Sequence, residues 1–283
     1  MRSTVFLAFV YLLIVTGCAR GGSTAPSVPE PQRPPGLPDR GVVTEGTTSW
    51  SFSPSSTPGS YVTTESTTVT LDNARDSSIT ITSYTLLTRQ RDSVTGVQGT
   101  LDRISSSANT ANAIESLPFP FTGFILNGGL VIDSIRGQRI PGVMTCENPM
   151  LNHLASIRRN IFTLPSTTLT KNQTWTDSST VPACSGSIPV QITSIRSYRV
   201  AGETGGVVLV DRQDKTVATG EGSQGQHRIF LTARGSGSTQ LRLDRLTGEV
   251  LSTSGTSQTE VDIGSSGRLQ RFVQVVRDHT VRR

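Results

Sequence analysis

Alternating apolar and polar residues run through the chain from about residue 47 onward. In the segment 78–87, with the sequence SITITSYTLL, isoleucines alternate with threonines, and a period of two is typical of a β-strand with one buried face. Turn-forming Gly, Asn and Asp residues separate this segment from further predicted strands at 67–71, 97–104, 121–126, 130–135, 190–200, 207–212, 216–220, 227–234, 238–244, 249–253, 259–263 and 269–276. Such closely spaced strands predict a mainly β fold, an antiparallel up-and-down curved sheet that is sandwich-like or barrel-like.

Two local signals refine this picture. Asn127-Gly128-Gly129 lies between two apolar runs, which predicts a tight β-hairpin. One short amphipathic helix is predicted at about 149–162, because Asn148 can cap it and Pro149 suits its first position. Apolar residues recur at helical spacing on one face, namely Met150, Leu151, Leu154, Ile157 and Ile161. The opposite face carries the polar residues Asn152, His153, Arg158 and Arg159.

The N-terminus carries a different pattern. Arg2 precedes the apolar run 5–15, and Val15-Thr16-Gly17-Cys18 closes it. Eleven residues make a helix of roughly 16 Å, too short to span a bilayer, so the run is typical of an export signal. This ending resembles the lipobox of bacterial lipoproteins. An ordinary signal cut elsewhere and a buried N-terminal helix are the alternatives.

The resemblance implies a lipid anchor. In that family the signal peptide is cut before the cysteine, the thiol of Cys18 carries a diacylglycerol, and the new amine is acylated, with palmitate a typical acyl chain. Residue Ala19 follows, and the absence of Asp there implies the outer membrane, on a face that the sequence leaves open. Stable anchoring by two or three acyl chains makes the membrane the first expected partner.

The domain organisation follows from this reading. Residues 1–17 are the signal peptide, residues 18–46 form a Pro/Gly/Ser-rich tether with six prolines after Arg20, and residues 47–283 form a single β-rich envelope domain. The tether lacks the apolar bulk for a core, so it is predicted to be extended.

Composition narrows the function classes. The formal net charge is +5, but the basic residues form no cluster with interleaved aromatics, so nucleic acid is not an expected partner. With Cys18 lipidated, Cys146 and Cys184 remain as an even pair in an oxidising compartment. A disulfide between them would close a loop of 38 residues and contribute on the order of 4 kcal/mol. Two free buried thiols are the alternative.

Catalytic motifs are missing from the sequence. The glycines of 220–225 fit a dinucleotide-binding pattern by letter, but a strand follows where the motif needs a helix. His153, His227 and His279 are scattered and lack metal-ligand spacing. We therefore expect no enzyme activity, no catalytic residues, no bound metal and no cofactor.

One apolar cluster allows two interpretations. Phe119, Phe121, Phe124 and Leu126 lie close together in the sequence, and they either pack as core beneath the hairpin or line an apolar ligand site. In the second case the helix, through Leu154 and Ile157, would close a curved sheet over the ligand.

Three functions fit these features. The first is a non-catalytic, lipid-anchored envelope protein whose β-domain binds another envelope component or serves structurally. The second is a carrier of a hydrophobic ligand, such as a lipid or a lipoprotein, in a half-open β-structure. The third is a hydrolase of envelope polymers, for which no pair of residues stands out.

Overall fold

The computed structural model describes residues 48–53, 56–72, 74–91, 94–107, 117–140, 146, 154–185, 188–224, 227–265 and 267–283. The predicted signal peptide, Cys18, the tether and the predicted helix start at 148–153 lie outside these residues. In the described part of the chain, no helix is both long and apolar enough to cross a bilayer.

Antiparallel strands make up most of the described chain. In chain order the elements are β1 (Ser49–Ser51), β2 (Gly59–Leu71), β3 (Ala74–Arg91), β4 (Val94–Ser106), β5 (Phe119–Leu126), β6 (Gly129–Ile135), β7 (Gln138–Arg139), α1 (Ala155–Asn160), β8 (Thr168–Thr170), β9 (Thr174–Ser185), β10 (Ile188–Thr204), β11 (Val207–Gln224), β12 (His227–Asp244), β13 (Val250–Ser265) and β14 (Arg268–Arg282). A 12-stranded sheet has the order β7-β6-β5-β4-β3-β2-β14-β13-β12-β11-β10-β9, and β1 pairs with β8 separately.

The large sheet consists of two up-and-down meanders. Strands β2 to β7 form one and β9 to β14 the other, and the antiparallel pairing of β2 with β14 joins them. Among the described strands, no hydrogen-bonded pairing closes the sheet. This confirms the predicted fold class, a mainly β, antiparallel up-and-down sheet with one short helix in the described residues.

Several strands are longer than the sequence pattern predicts. Gly235, which we expect to end a strand, instead pairs in register with Thr216 on β11 and Thr259 on β13. The predicted breaks within β11, β12 and β13 are therefore wrong, because ladders on both sides satisfy the backbone and outweigh the local turn propensity. The sequence also fails to indicate β9, whose Pro182 is compatible with its position at the sheet edge.

The β5–β6 turn brings the two ends of the sheet together. Asn127 and Gly128 have φ values of 49° and 79°, as the predicted hairpin requires. The backbone of this turn lies against β9, since a methyl group at Gly129 would be only 2.6 Å from the Cβ of Ser179. The sheet thus curls until its opposite ends are in contact.

Helix α1 is shorter and more buried than the pattern indicates. The described helix covers six residues and places Leu154 and Ile157 in an apolar cluster with Phe119 and Phe121. Arg159, which the pattern assigns to the polar face, is only 8% exposed. The assignment is wrong because the helix lies against the concave face of the sheet, where its second face is covered as well.

A disulfide joins Cys146 to Cys184 of β9, with the two Cα atoms 5.6 Å apart. This is the pair that the sequence predicts. Both residues belong to the same apolar cluster as α1, so the bond attaches Cys146 to the strand at the sheet edge.

Candidate functional site

A row of four threonines crosses the concave face of the sheet. Thr82 on β3, Thr63 on β2, Thr280 on β14 and Thr253 on β13 are successive register partners, and all four are buried. Because side chains alternate between faces of a strand, partners in one row point to the same side. These residues, called here the threonine row, place hydroxyl groups side by side across four strands.

Hydrogen bonds satisfy only part of this row. Thr63 Oγ1 and Thr280 Oγ1 are 2.8 Å apart, and Asn160, the last residue of α1, donates from Nδ2 to Thr280 Oγ1 over 3.1 Å. Thr253 Oγ1 and Asn160 Oδ1 are buried without a hydrogen-bond partner in the protein. Seven other buried side-chain atoms of the described residues likewise have no partner in the protein, among them Ser156 Oγ and Gln274 Oε1.

A cavity of about 430 Å³ opens over this end of the row. It lies between the segment 161–167 that follows α1, the strand pair β2 and β3, and the start of β13. The polar floor of the cavity is formed by Asn160, Thr253 and Thr280. Its apolar wall is formed by Leu86, Ile157, Phe162, Leu164 and Val250. The cavity volume lies in the range of small-molecule sites, and many Thr and Ser residues share the lining with the apolar side chains.

Two tyrosines extend the polar side of the cavity. Tyr61 and Tyr84 are cross-strand partners whose rings stack with centroids 5.4 Å apart. Burial raises the pKa of Tyr84 above its ordinary value. Burial likewise raises the pKa of Tyr61, although Arg282 opposes this effect. Both phenols therefore stay protonated near neutral pH and present neutral O–H groups.

The charge at the cavity is balanced. Glu249 is the charged residue among the lining residues in the described chain, and Arg282 Nη1 pairs with its Oε2 at 2.5 Å. Both side chains are about one fifth exposed. The lining therefore offers no uncompensated charge to a ligand.

Buried ion pairs hold α1, and with it Asn160, on the sheet. Arg159 pairs with Glu65, and its Nε lies 4.0 Å from Asp278. On β11, Arg212 Nε donates to Asp214 over 3.0 Å, and Arg212 Nη1 donates to the carbonyl oxygen of Arg159 over 3.3 Å. Cations at the end of a helix stabilise its unpaired carbonyls. The floor residue Asn160 is thus fixed by contacts on either side of it.

Burial changes the pKa of Asp214, the acid that pairs with Arg212. It raises the pKa of the Asp214 carboxyl above its ordinary value, while the Arg212 guanidinium acts to lower it. The sequence places Arg159 on the polar face of the predicted helix and does not predict this network. The burial of its members depends on which strand faces lie beneath the helix, and a single strand pattern does not reveal that.

The predicted apolar lining divides into two groups. Phe119, Phe121 and Leu154 are fully buried in the core, and Ile157 is the member that reaches the cavity. Phe124 is half-buried and Leu126 is 52% exposed, because alternation along β5 turns both away from the concave face. The core-packing interpretation therefore describes Phe119, Phe121 and Leu154. Together with Phe124 and Leu126, these residues do not line the described cavity.

The remaining candidate residues are dispersed. His227 starts β12 and His279 lies on β14, where its Nδ1 is 2.9 Å from the carbonyl oxygen of Thr253. His153 and Cys18 lie outside the described residues. Within the ranges that the structure describes, no group of three or more His, Cys, Asp or Glu side chains could hold a metal ion.

Comparison with known proteins assigns this chain to no family. No protein family model matches the chain, and no curated protein sequence matches it. Similar solved structures include Pseudomonas aeruginosa OccK10 (OpdN), with a TM-score of 0.23 and 7% identity over 80% of this chain and 99% of that one. Another is P. aeruginosa OccK2 (OpdF), with a TM-score of 0.23 and 6% identity over 80% of this chain and 98% of that one. A third is a mutant of Rh. blastica porin, with a TM-score of 0.20 and 10% identity over 79% of this chain and 98% of that one. TM-scores this low support no inference about this chain.

Proposed function

We propose that this chain is a lipid-anchored protein of the bacterial cell envelope whose β-domain binds a ligand without catalysis. The observation that carries the binding part is the cavity of about 430 Å³ beside α1, whose lining includes the apolar side chains of Phe162 and Leu164. A ligand that enters this cavity would bury apolar groups against these side chains.

The chemistry of the lining favours binding over catalysis. Among the described lining residues the polar groups are hydroxyls, one amide and one carboxylate, with neither imidazole nor thiol. Hydroxyl nucleophiles need an adjacent base, and the carboxylate, Glu249, is already paired with Arg282. The hydrolase hypothesis accordingly receives no support from this site.

The sequence supports the envelope part of the proposal. Val15-Thr16-Gly17-Cys18 resembles a lipobox, and Ala19 favours the outer membrane. The Pro-rich tether would hold the β-domain away from the lipid surface at about 3 Å per extended residue.

A carrier of a hydrophobic ligand is the second candidate, and the apolar wall formed by residues such as Phe162 and Leu164 favours it. A carrier must release its ligand to an acceptor, whereas a receptor or structural binder need not. Transfer of a bound ligand from this protein to acceptor vesicles would separate the two roles.

Metabolic labelling tests the anchor. Cells that express the full chain are grown with an alkyne analogue of palmitate, and the label on the protein is measured after coupling to a fluorophore. We expect strong labelling of the native chain and of a double variant, Cys146→Ser with Cys184→Ser, and none of Cys18→Ser. Labelling that survives Cys18→Ser, or that is absent from the native chain, would contradict the anchor.

A further inference from the structure

We infer that strand β1, together with Phe52 and Ser53 that follow it, is a strap that retains a ligand in the cavity beside α1, and that undocking of this strap releases the ligand. This inference rests on the proposed ligand-binding function and specifies how that site is regulated. It depends on three relationships: how the strap is attached, what it holds in place and where the predicted tether joins it.

The strap lies outside the large sheet. In the described chain, β1 pairs with β8 in a separate sheet of two short strands. Trp50 and Phe52 point to the same side of this extended segment, and they are only 3% and 5% exposed. Phe162 and Leu164 of the cavity wall pack against the apolar cluster that these two side chains join. A strand this short has few interactions to lose, so it opens at a lower free energy than the long strands of the sheet.

Solvent-exposed contacts hold the strap from outside this cluster. The indole nitrogen of Trp50 donates to Glu203 Oε2 over 2.5 Å, and Arg245 Nε lies 3.0 Å from the other carboxylate oxygen of Glu203. The side chains of Glu203 and Arg245 are 27% and 52% exposed, so water can replace these contacts when the strap leaves. Exposed ion pairs of this kind contribute little to stability.

Strand β8 has attachments of its own that do not involve the strap. Leu169 is fully buried. In the turn after β8, Asn172 N–H donates to the carbonyl oxygen of Val200, and Val200 N–H donates to that of Gln173, both over 2.9 Å. These bonds hold β8 on β10, so β1 can separate from β8 while β8 keeps its position.

The strap supports the wall of the cavity. Segment 161–167 lines the cavity and belongs to no described helix or strand. Phe52 N–H donates to the carbonyl oxygen of Thr167 over 2.8 Å. Phe52 and Leu164 also lie together over Gly248, since a methyl group added there would be 2.9 Å from Phe52 Cγ and 2.6 Å from Leu164 Cδ1. When Phe52 undocks, segment 161–167 loses both supports and the wall can move away from a ligand.

The predicted tether joins the domain at this strap. Residues 18–46 precede β1 in the sequence, and Lys171 N–H donates to the carbonyl oxygen of Thr48 over 2.9 Å at the start of the strap. A pull on the tether therefore acts on β1 before it reaches any other described element. Through the proposed anchor, the distance between domain and membrane would in this way influence how long a ligand is retained.

Two engineered disulfides test the strap. Residues 19–283, which retain every described residue, are exported behind a cleavable signal in place of residues 1–18. Ser51→Cys with Thr168→Cys staples β1 to β8, because the hydroxyl oxygens of these register partners are 3.4 Å apart. Thr180→Cys with Thr193→Cys is the matched control, which joins exposed register partners of β9 and β10 whose hydroxyl oxygens are 3.0 Å apart. Peptide mapping by mass spectrometry verifies each staple.

Ligand release and hydrogen exchange are the two measurements. Each chain is loaded with the neutral fluorophore N-phenyl-naphthylamine, and the loss of its fluorescence is followed after mixing with an excess of unlabelled apolar competitor, well below the melting temperature. Amide exchange of segment 161–167 is measured by mass spectrometry. We expect the strap staple to slow both processes by about tenfold or more, because undocking is blocked. The control staple should leave both rates as they are in the native chain.

Phe52→Ala tests the opposite direction. It removes the ring from beside Leu164, so release of the fluorophore and exchange of segment 161–167 should both become faster by a similar factor. Phe272→Ala is the matched control, since Phe272 is 4% exposed and lies in a different apolar cluster. It should lower the melting temperature but leave both rates unchanged at temperatures where the sheet stays folded.

The outcomes separate the strap from the proposed function. Equal release rates in the two stapled chains, or an unchanged release rate in Phe52→Ala, would overturn the strap and leave the ligand-binding function intact. Failure of the fluorophore to bind to the native chain would contradict the proposed ligand-binding function, and the strap inference would be overturned with it.

Discussion

Arg196 on β10 donates a hydrogen bond from Nη2 to the carbonyl oxygen of Gly128 in the β5–β6 turn, although 68 residues separate them in sequence. The same guanidinium donates to Asp177 Oδ1 over 2.9 Å and lies 3.5 Å from the carbonyl oxygen of Ile161. One buried side chain thus connects the two ends of the curled sheet and the segment that covers the cavity. The ladder of the described strands does not close there, so side-chain contacts such as these link the two ends.

Arg196→Gln should destabilise the fold by about 3–5 kcal/mol, because it leaves Asp177 without its cation in a largely buried site. Urea denaturation followed by circular dichroism measures the change. Arg228→Gln is the control, since Arg228 and Glu221 form an exposed pair and exposed pairs contribute about 1 kcal/mol or less. Equal losses in the two variants would show that Arg196 does not hold the sheet ends together.

Gly129→Ala tests the close approach of β6 to β9. The added methyl group would meet Ser179 Cβ at 2.6 Å and Val181 Cγ1 at 2.9 Å, and overpacking of this kind costs about 1–3 kcal/mol. At Gly264 an added methyl meets nothing within 4 Å, so Gly264→Ala should be neutral or slightly stabilising. Thermal unfolding compares the two variants, and a neutral Gly129→Ala would mean that the sheet ends are further apart.

Reduction of the Cys146–Cys184 disulfide should lower the stability by on the order of 4 kcal/mol, the chain-entropy value for a loop of 38 residues. The double variant Cys146→Ser with Cys184→Ser should show the same loss without a reductant, and a reductant should not affect it further. Calorimetric scans with and without a reductant provide the test. An unchanged transition on reduction would indicate that the two thiols are not joined in solution.

Asp244 should make the stability depend on pH in the acid range. Hydrogen bonds from the backbone N–H of Thr247 hold the pKa of its carboxyl below the ordinary value, with further bonds from Leu246 and the Thr247 hydroxyl. Because the folded-state pKa is the lower one, the stabilisation is present above the unfolded pKa of about 4 and is lost as the pH falls through the folded pKa.

The measurement is the difference in unfolding free energy between the native chain and Asp244→Asn across the range from about pH 2 to 7. The variant keeps a side-chain oxygen acceptor but no titrating group. The difference should be greatest near neutral pH and should shrink with acidification. A difference in unfolding free energy that stays constant across this range would show that Asp244 does not cause the pH dependence.

The sequence predicted the strands best where period-two alternation is clear, as in the segment 78–87, and it predicted the β5–β6 hairpin from Asn127 and Gly128. The two faces of the first strand are nevertheless the reverse of what its alternation indicates, because Ile79 and Ile81 are exposed whereas Thr82 and Tyr84 are buried. The sequence pattern divided the strands around Gly235 because glycine is a turn residue locally. Pairing partners on both sides decide this position, and they lie 19 and 24 residues away in the chain.

The candidate site was harder to predict for the same reason. Thr253 and Thr280 resemble ordinary polar positions of surface strands, and they become a buried row only once register places β13, β14 and β2 side by side. Asn160 and Arg159 look like the solvent face of an amphipathic helix. Their burial follows from the curvature of the sheet around α1, which no local pattern encodes.

Native mass spectrometry of the soluble exported chain, residues 19–283, tests the central claim most directly. The account predicts a population heavier than the polypeptide by a small molecule that is released on collisional activation. A spectrum that contains the bare polypeptide mass alone, under conditions gentle enough to preserve the native charge states, would contradict a ligand-binding role for this domain.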